Sequence, residues 1–441
     1  MKQRKMILLA LLSLGLSTIF KMYNNRIAHH ALLEVDNHAL LEADNQKGLN
    51  VTEKLTSLIE ENLAPWLPFP GDDDMILRSE MFDELERIGY GMGARVRIYE
   101  GRVFFRQLMR WEPTYYYARL RFHLSMIHEA VKTAQISDTE LFIGVSDGPR
   151  VADDTSAPIH GLPIFNYITS PAHLDVLVPD PLEMGAYGNR YNFKTPPPLI
   201  PWENKSSRLY FRGSFTSFRL SAYNWNLSPR ARAAILSQQN PLVYDMHLTK
   251  WGYGAADDFK ADSGLKLAPK VPLEHQCGYR WILNLDGGWG SCRMPSILRC
   301  GSLLVQPRSP WITISSKILT EDVHFVAVDR HLRTLGAVVD WLQNNDGRAR
   351  TMAAAAQRLG SALFTRQAAL EYWTLLLRRW AGLFRPGQDF APRDSDWDHC
   401  SEPGQYQEKL RAGPQNCSRG WVEFTSLSAF DDLYRGIALE R

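Results

Sequence analysis

Two short segments combine small residues with an arginine in a pattern that suits a phosphate group. Residues 210–219 and 286–293 each follow an apolar stretch, pass through glycine and serine, and end at an arginine. Backbone N–H groups freed by small residues can turn toward an anion, and arginine adds a bidentate cation. Two such loops predict a diphosphate site. Its candidate residues are Arg212, Gly213, Ser214, Thr216 and Arg219 in the first loop, and Gly287, Gly288, Gly290, Ser291 and Arg293 in the second.

Asp147 is the candidate for acid–base chemistry. It follows the apolar segment 140–145, which has the length and composition of a buried strand. A carboxylate at the end of a strand can accept a proton from a substrate hydroxyl. The next residue is Gly148, however, and Asp-Gly is also an ordinary turn signal. The residues alone leave both interpretations open.

These segments resemble the glycosyltransferase family that contains the Rumi-type protein O-glucosyltransferases and the fungal capsule-associated xylosyltransferases, family 90. The resemblance includes residues 145–150, which are similar to the family's catalytic-aspartate turn, and residues 169–179, and it covers roughly residues 110–385. Two positions depart from the family. Gly148 replaces a bulkier residue, and Arg219 arrives one residue earlier than in the protein O-glucosyltransferases.

The resemblance implies an inverting O-glycosyltransferase. Its donor would be UDP-glucose or UDP-xylose, its acceptor a hydroxyl of a protein or a polysaccharide, and it would need no metal ion or other cofactor. Asp147 would deprotonate the acceptor in one in-line displacement, while Arg293 and the glycine loops would stabilise UDP as it leaves.

Two other functions compete with this one. A catalytically inactive lumenal binding or scaffold protein could keep the sugar-nucleotide fold, but it would have no need for Asp147 and Arg293. A dinucleotide oxidoreductase would require the spacing Gly-x-Gly-x-x-Gly, which the second loop lacks. A nucleic-acid surface is not expected, because 50 basic and 48 acidic side chains leave a net charge of only +2.

The N-terminus carries a secretory-pathway signal. Three basic residues within the first five precede an uncharged, mostly apolar run over residues 6–20. This pattern predicts a signal-anchor over residues 1–21 and a single-pass type II membrane protein whose body lies in the ER or Golgi lumen. Because the run is short for a bilayer, a cleaved signal peptide is the alternative. Asn-x-Ser/Thr sequons at Asn50, Asn204, Asn226 and Asn416 agree with a lumenal body.

Beyond the anchor, the sequence divides into a stem, two lobes and a tail. Residues 22–64, which contain a near-duplicate octapeptide, predict a stem. Residues 65–200 predict an acceptor-side lobe that carries the catalytic aspartate, and residues 201–385 a donor lobe for the UDP-sugar. Strands alternate with helices in both lobes, which predicts an α/β protein with two Rossmann-like sheets facing across a cleft. The resemblance implies the same GT-B fold. The polar extension 386–441 has no assigned role.

One disulfide is predicted in the donor lobe. Cys277 and Cys300 flank a predicted strand, the second glycine loop and a short helix, so a bond between them would tie the supports of that loop together. Cys400 and Cys417 form a weaker second prediction, which leaves Cys292 free.

No metal site is predicted. Asp394, Asp396 and Asp398 fit an Asp-x-Asp pattern formally, but they lie in the polar tail without a preceding buried strand. His275 lies near the second loop and is expected to be structural. The twelve histidines show no metal-ligand spacing.

Overall fold

Two β-sheets organise the part of the chain that the structure, a computed structural model, describes. One sheet has six strands and the other five. This arrangement confirms the predicted α/β protein with two units. The described residues are 51–67, 77–87, 92–107, 114–153, 161–184, 193, 197, 199–216, 225–252, 263–384, 387–392 and 421–433.

The first sheet is antiparallel on one side and parallel on the other. Its strands are β1 (Gly93–Tyr99), β2 (Arg102–Gln107), β3 (Thr139–Gly144), β4 (Phe165–Asn166), β5 (Val176–Leu177) and β11 (Val422–Glu423), in the order β11-β2-β1-β3-β4-β5. β1 and β2 form a hairpin, whose turn residues Glu100 and Gly101 both have positive φ. Only β3, β4 and β5 run parallel, so the expected doubly wound pattern is confined to that side.

Helices α1 (Val51–Leu63), α2 (Glu80–Arg87) and α3 (Thr114–Thr133) belong to this first unit. The apolar residues of α1 recur every three or four positions and therefore form one stripe, which is buried. The Asn62 side chain also bonds to both main-chain groups of Leu177, at 2.9 Å each. Residues 51–63, which the sequence assigns to a stem, are therefore part of the folded body.

The second sheet is parallel throughout. Its strands are β6 (Ser206–Phe215), β7 (Tyr244–Trp251), β8 (Tyr279–Leu283), β9 (Leu303–Pro307) and β10 (Phe325–Val328), in the order β10-β9-β8-β6-β7. The helices along this part of the chain are α4 (Pro229–Gln239), α5 (Met294–Arg299), α6 (Ile314–Ile318), α7 (Leu335–Asn344) and α8 (Asp346–Leu363), and α9 (Arg366–Ala381) comes after them.

The strand order of the second sheet reverses between β6 and β8. From β6 the chain moves outward to β7, and it then returns to the other side of β6 to build β8, β9 and β10. In open parallel sheets, ligands bind at the carboxyl ends of the two strands that flank such a reversal. The second segment that the sequence selects as a diphosphate site, 286–293, follows β8. The first, 210–219, was expected to be a loop, but residues 210–215 form the carboxyl end of β6 itself, and Thr216 is the only described residue of that segment beyond the strand.

Helix α9 packs on the first unit, although the sequence assigns it to the donor lobe. Its Trp373 and Trp380 are fully buried, and their rings lie 6.1 and 4.8 Å from the ring of Phe165 on β4. The Trp380 indole N–H donates to the Glu140 carbonyl on β3 at 2.8 Å. The chain thus returns to the first sheet after completing the second.

Part of the predicted polar tail also joins the first unit. β11 pairs with β2, and α10 (Leu427–Leu433) follows it. Trp421, Phe424 and Phe430 are buried. Residues 393–420, including Cys400, Cys417 and the three tail aspartates, lie outside the described residues.

The described residues contain no helix that is long and apolar enough to cross a membrane. The apolar run over residues 6–20, and with it the predicted anchor, lies outside that part of the chain.

Candidate active site

Asp147 stands just beyond β3, at the carboxyl edge of the parallel strands. Its side chain is 49 % exposed, whereas the residues before it are buried. The buried guanidinium of Arg119, on α3, donates to Asp147 Oδ1, and the Tyr167 hydroxyl donates to the same oxygen at 3.3 Å. The carboxylate is therefore partly exposed, while two hydrogen bonds to Oδ1 fix its position.

The two predicted anion-binding loops meet at Arg230, a residue that the sequence does not single out. Arg230 lies in the first turn of α4 and is buried. Its guanidinium donates to the carbonyl of Ser214, near the end of β6, at 2.7 Å and to the hydroxyl of Thr216, just beyond β6, at 2.8 Å. It also donates to the carbonyls of Leu285 and Asp286, at 2.9 and 2.8 Å, where the second loop begins. One cation thus fixes both loops.

Arg293 forms a second bridge between the same strand ends. Its guanidinium donates to the Arg212 carbonyl of β6 at 2.8 Å and to the Leu285 carbonyl beyond β8 at 2.9 Å. It lies over the Phe211 ring at 4.8 Å. Ser291 donates to the Asn284 side chain at 2.6 Å, which anchors the loop from within. Arg293 therefore braces the loops and places its positive charge between them.

The glycines of the second loop leave main-chain donors available. Within the described part of the chain, the N–H groups of Gly287, Gly288 and Gly290 donate to no main-chain carbonyl. A Cβ added at Gly287 would lie 3.1 Å from the Thr216 hydroxyl oxygen, so the two loops approach closely there. Close loops with unused N–H groups and two nearby guanidiniums can bind a diphosphate.

Arg212 forms an ion pair within the second sheet. Its guanidinium donates to the main-chain carbonyl and the carboxylate of Asp245 on β7. The Tyr279 hydroxyl donates to the same carboxylate. Burial alone would raise the pKa of Asp245, but hydrogen bonds from His247, Tyr279 and Arg212 hold that pKa well below its usual range. Arg212 is thus committed to an ion-pair network in the sheet, and its contact with a ligand stays a prediction.

The turn that contains Asp147 and Gly148 contacts the second glycine loop directly. A Cβ added at Gly148 would lie 2.5 Å from the Trp289 ring, so the indole packs on the bare backbone of the turn. Gly290 lies against Ile168 of the first unit, where an added Cβ would be 3.2 Å from its Cδ1. The Trp289 ring is backed by Trp311 at 4.8 Å. These contacts bring Asp147 and the second loop to one site.

Main-chain pairing supports this junction between the units. Thr169 and Ile312 exchange two hydrogen bonds, of 2.9 and 2.8 Å. One residue belongs to the segment after β4 and the other to the segment after β9, so the pairing links the carboxyl edges of the two sheets. The aspartate and the loops are therefore held in a fixed relationship.

The predicted disulfide between Cys277 and Cys300 is confirmed, with the two Cα atoms 4.8 Å apart. The buried ammonium of Lys205 donates to the carbonyls of both cysteines, at 2.7 and 2.9 Å. Burial lowers the pKa of Lys205 to about 8. Cys292 is a free thiol, as predicted.

Two buried carboxyl groups lie behind the site. Asp180 and Glu183 line a small cavity together with Ser315 and Tyr372. Burial raises the pKa of Asp180 to about 6 and that of Glu183 well above its ordinary value. The Ser315 hydroxyl donates to Glu183 at 2.8 Å. Neither group is recognisable as part of a site from the sequence.

The remaining predicted residues have mixed outcomes. Arg219 lies outside the described residues. The ring of His275 packs against Tyr210 and Tyr279, which agrees with a structural role. Among the residues that the structure describes, no group of three or more potential metal ligands comes together.

Comparison with known sequences gives a family match over most of the chain. The profile of the family described as "Glycosyl transferase family 90" matches residues 53–393. Protein O-glucosyltransferase 1 of Mus musculus is 27% identical over 311 residues, which cover 67% of this chain and 71% of the mouse protein. An O-glucosyltransferase rumi homolog of Aedes aegypti is 25% identical over 267 residues, or 57% of this chain and 63% of the mosquito protein.

Comparison with solved structures gives partial overlaps. The crystal structure of TarM aligns with a TM-score of 0.30 at 14% identity and covers 41% of this chain and 37% of its own. The crystal structure of Anabaena HepE in complex with UDP and glucose aligns with a TM-score of 0.27 at 12% identity, over 43% of this chain and 50% of that one.

Proposed function

Because the chain belongs to glycosyl transferase family 90 and is a glycosyltransferase, we propose that it transfers glucose or xylose from a UDP-sugar to a hydroxyl group with inversion at the sugar carbon. The acceptor is a protein or a glycan of the secretory pathway. UDP-glucose is the first donor to test, since the named relatives are O-glucosyltransferases.

The contact between Gly148 and Trp289 is the observation that carries this proposal. It places an accessible carboxylate beside a loop that can bind a diphosphate. Displacement at a sugar carbon needs a base on the acceptor side and charge stabilisation on the leaving-group side. Asp147 supplies the first, and the two loops with Arg230 and Arg293 supply the second.

The proposed reaction is a single displacement. The acceptor hydroxyl loses its proton to Asp147 as its oxygen bonds to the sugar carbon. The bond from that carbon to the β-phosphate oxygen breaks, and UDP leaves with the electron pair. Arg230 and Arg293 donate to main-chain carbonyls, yet each keeps its charge and acts on the diphosphate electrostatically. We propose that this charge and the loop N–H groups replace a metal ion.

The body of the protein is proposed to lie in the lumen of the ER or Golgi. The basic and apolar N-terminal pattern supports this location, with residues 1–21 as the anchor. The sequon residue Asn204 is exposed on a short turn before β6, where a glycan can be attached.

Release of UDP from a panel of UDP-sugars tests the function. Purified protein should hydrolyse one sugar nucleotide slowly, and an Asp147→Asn variant should not. Asp340 on α7 is exposed, so an Asp340→Asn variant is a matched control that should retain activity. Binding of UDP without turnover of any sugar nucleotide would contradict the proposal and favour the inactive binding protein.

A further inference from the structure

The Asp147 carboxylate has two unlike oxygens. Oδ1 accepts hydrogen bonds from Arg119 and Tyr167. None of the described residues donates to Oδ2. We propose that Arg119 and Tyr167 are positioning residues that fix Oδ1 and thereby present Oδ2 to the acceptor hydroxyl. This inference rests on the proposed function of Asp147 as the base.

Arg119 is suited to positioning because its guanidinium forms hydrogen bonds to the turn at two atoms. One terminal nitrogen donates to the Val145 carbonyl at 2.6 Å and the other to Asp147 Oδ1. The guanidinium fork is planar, so the two bonds fix the carboxylate relative to its own main chain. The residue is 3% exposed and belongs to a 20-residue helix, which limits its movement.

The surrounding aromatic rings hold the guanidinium in place. It lies 5.1 Å from the Tyr167 ring centre and 5.5 Å from that of Tyr116. Burial raises the pKa of Tyr167 well above its usual value, so the phenol keeps its proton and remains a donor to Asp147 at physiological pH. Two permanent donors therefore act on one carboxylate oxygen.

Among the described residues, Asp180 and His123 are two further titratable groups that interact with Arg119. Burial raises the pKa of Asp180 to about 6, with Arg119 opposing the shift and Asp147 adding to it. His123, one turn along α3, is buried beside Arg119, and burial followed by the Arg119 charge lowers its pKa to about 3. Asp180 therefore ionises within the pH range over which the activity profile is measured. An Asp180→Asn background removes this second ionisation from the profile.

In the proposed proton transfer, the two oxygens of the Asp147 carboxylate have separate roles. The acceptor O–H bond breaks and its proton bonds to Oδ2, while Oδ1 stays hydrogen bonded to Arg119 and Tyr167. The electron pair of the broken bond forms the new bond to the sugar carbon. Without the two donors the carboxylate can rotate, and its ionised form loses a nearby positive charge.

Three variants test this assignment through the pH dependence of transfer. Arg119→Met should lower kcat by about 10- to 1,000-fold while leaving UDP affinity within about twofold. It should also move the acid limb of the pH–rate profile upward, because an adjacent cation favours an ionised carboxylate. Arg119→Lys should restore the position of the acid limb and leave kcat low, since it keeps the charge without the fork. Tyr167→Phe should lower kcat by about 3- to 10-fold.

The profiles are measured with UDP-glucose in the wild-type and Asp180→Asn backgrounds. An acid limb that stays in place for folded Arg119→Met, with Asp147→Asn inactive, would overturn the positioning role and leave the base intact. Full activity of Asp147→Asn would instead overturn the proposed function. If Arg119→Met does not fold, Tyr167→Phe decides: wild-type kcat in that folded variant overturns the inference, and a reduced kcat with unchanged UDP affinity supports it.

Discussion

Trp289 packs on the main chain of Gly148, and this contact joins the second glycine loop to the aspartate turn. An added Cβ at Gly148 would lie 2.5 Å from the indole. No real Cβ tolerates that distance, so either the ring or the turn would have to move. Glycine at this position is thus required by an aromatic side chain from the opposite unit.

We expect Gly148→Ala to lower kcat/KM for sugar transfer by about tenfold or more. The new methyl group displaces Trp289, and overpacking of this kind typically costs about 1–3 kcal/mol. Trp289→Ala in the same chain removes the clash, so the double variant should be less impaired than the product of the two single effects. Gly336→Ala, whose added Cβ meets no atom within 4 Å, is the control. Strictly multiplicative effects would contradict a direct contact between the two residues.

Arg230→Met should weaken UDP binding by about tenfold or more. The variant loses hydrogen bonds to four acceptor groups on the two loops. Both loops then lose the cation that fixes them and part of the positive charge near the diphosphate. Isothermal titration with UDP provides the measurement, and Arg232→Met on the same helix is the matched control. Unchanged UDP affinity in a folded Arg230→Met protein would show that the loops bind no diphosphate.

Several of these residues could not be identified from the sequence. The strand β3, which depends on the local apolar pattern of residues 140–145, and the disulfide between Cys277 and Cys300 lie close to where the sequence predicts them. Arg119 stands on a helix with several charged residues, and periodicity does not show which of them turns toward a loop 28 positions later. Arg230 has the sequence context of an exposed helix start, yet it is buried by two loops that are distant in sequence.

The boundaries of the units were the least predictable feature, because they depend on contacts between segments that are distant in sequence. An amphipathic helix at residues 51–63 has the same sequence pattern in a stem and in a packed body, because only its partner differs. That partner is α9, more than 300 residues away. The strands β4 and β5 have two residues each, too short for any periodic signal.

Removing the disulfide with Cys277→Ser and Cys300→Ser should lower the free energy of unfolding by about 3 kcal/mol. The bond closes a loop with a sequence separation of 23, and the chain-entropy model gives about this value. Thermal or urea unfolding is the measurement. Cys292→Ser, which removes a free thiol, should change stability much less. Equal stabilities for the wild type, the Cys277→Ser/Cys300→Ser variant and the Cys292→Ser variant would mean that the disulfide does not constrain the unfolded chain.

Glu183→Gln should stabilise the protein above pH 6 and have little effect below pH 4.5. Burial raises the folded-state pKa of Glu183 above its usual 4.5. The folded state therefore binds more protons than the unfolded state above pH 4.5, and wild-type stability falls as pH rises through that window. Glutamine resembles the protonated acid and can still accept from Ser315. The gain should grow as the pH rises above 4.5 and should be larger at pH 8 than at pH 4.5.

Unfolding midpoints at pH 4.5 and pH 8 check this expectation. Glu274→Gln, at an exposed position, is the control and should show no pH-dependent difference from wild type. A destabilisation by Glu183→Gln that grows with pH would mean that the wild-type side chain is ionised and paired in the folded protein.

The most direct test of the mechanism compares Asp147→Asn with Arg293→Ala in two measurements on each protein, the rate of sugar transfer from UDP-glucose or UDP-xylose and the affinity for UDP. An amide cannot take the acceptor proton, and loss of a general base typically costs about 10²- to 10⁴-fold in rate. We expect Asp147→Asn to lose transfer by at least that factor with UDP affinity unchanged. Arg293→Ala should weaken both, because its charge lies between the two loops. Near-normal turnover by Asp147→Asn would contradict the account and make residues 147 and 148 an ordinary turn.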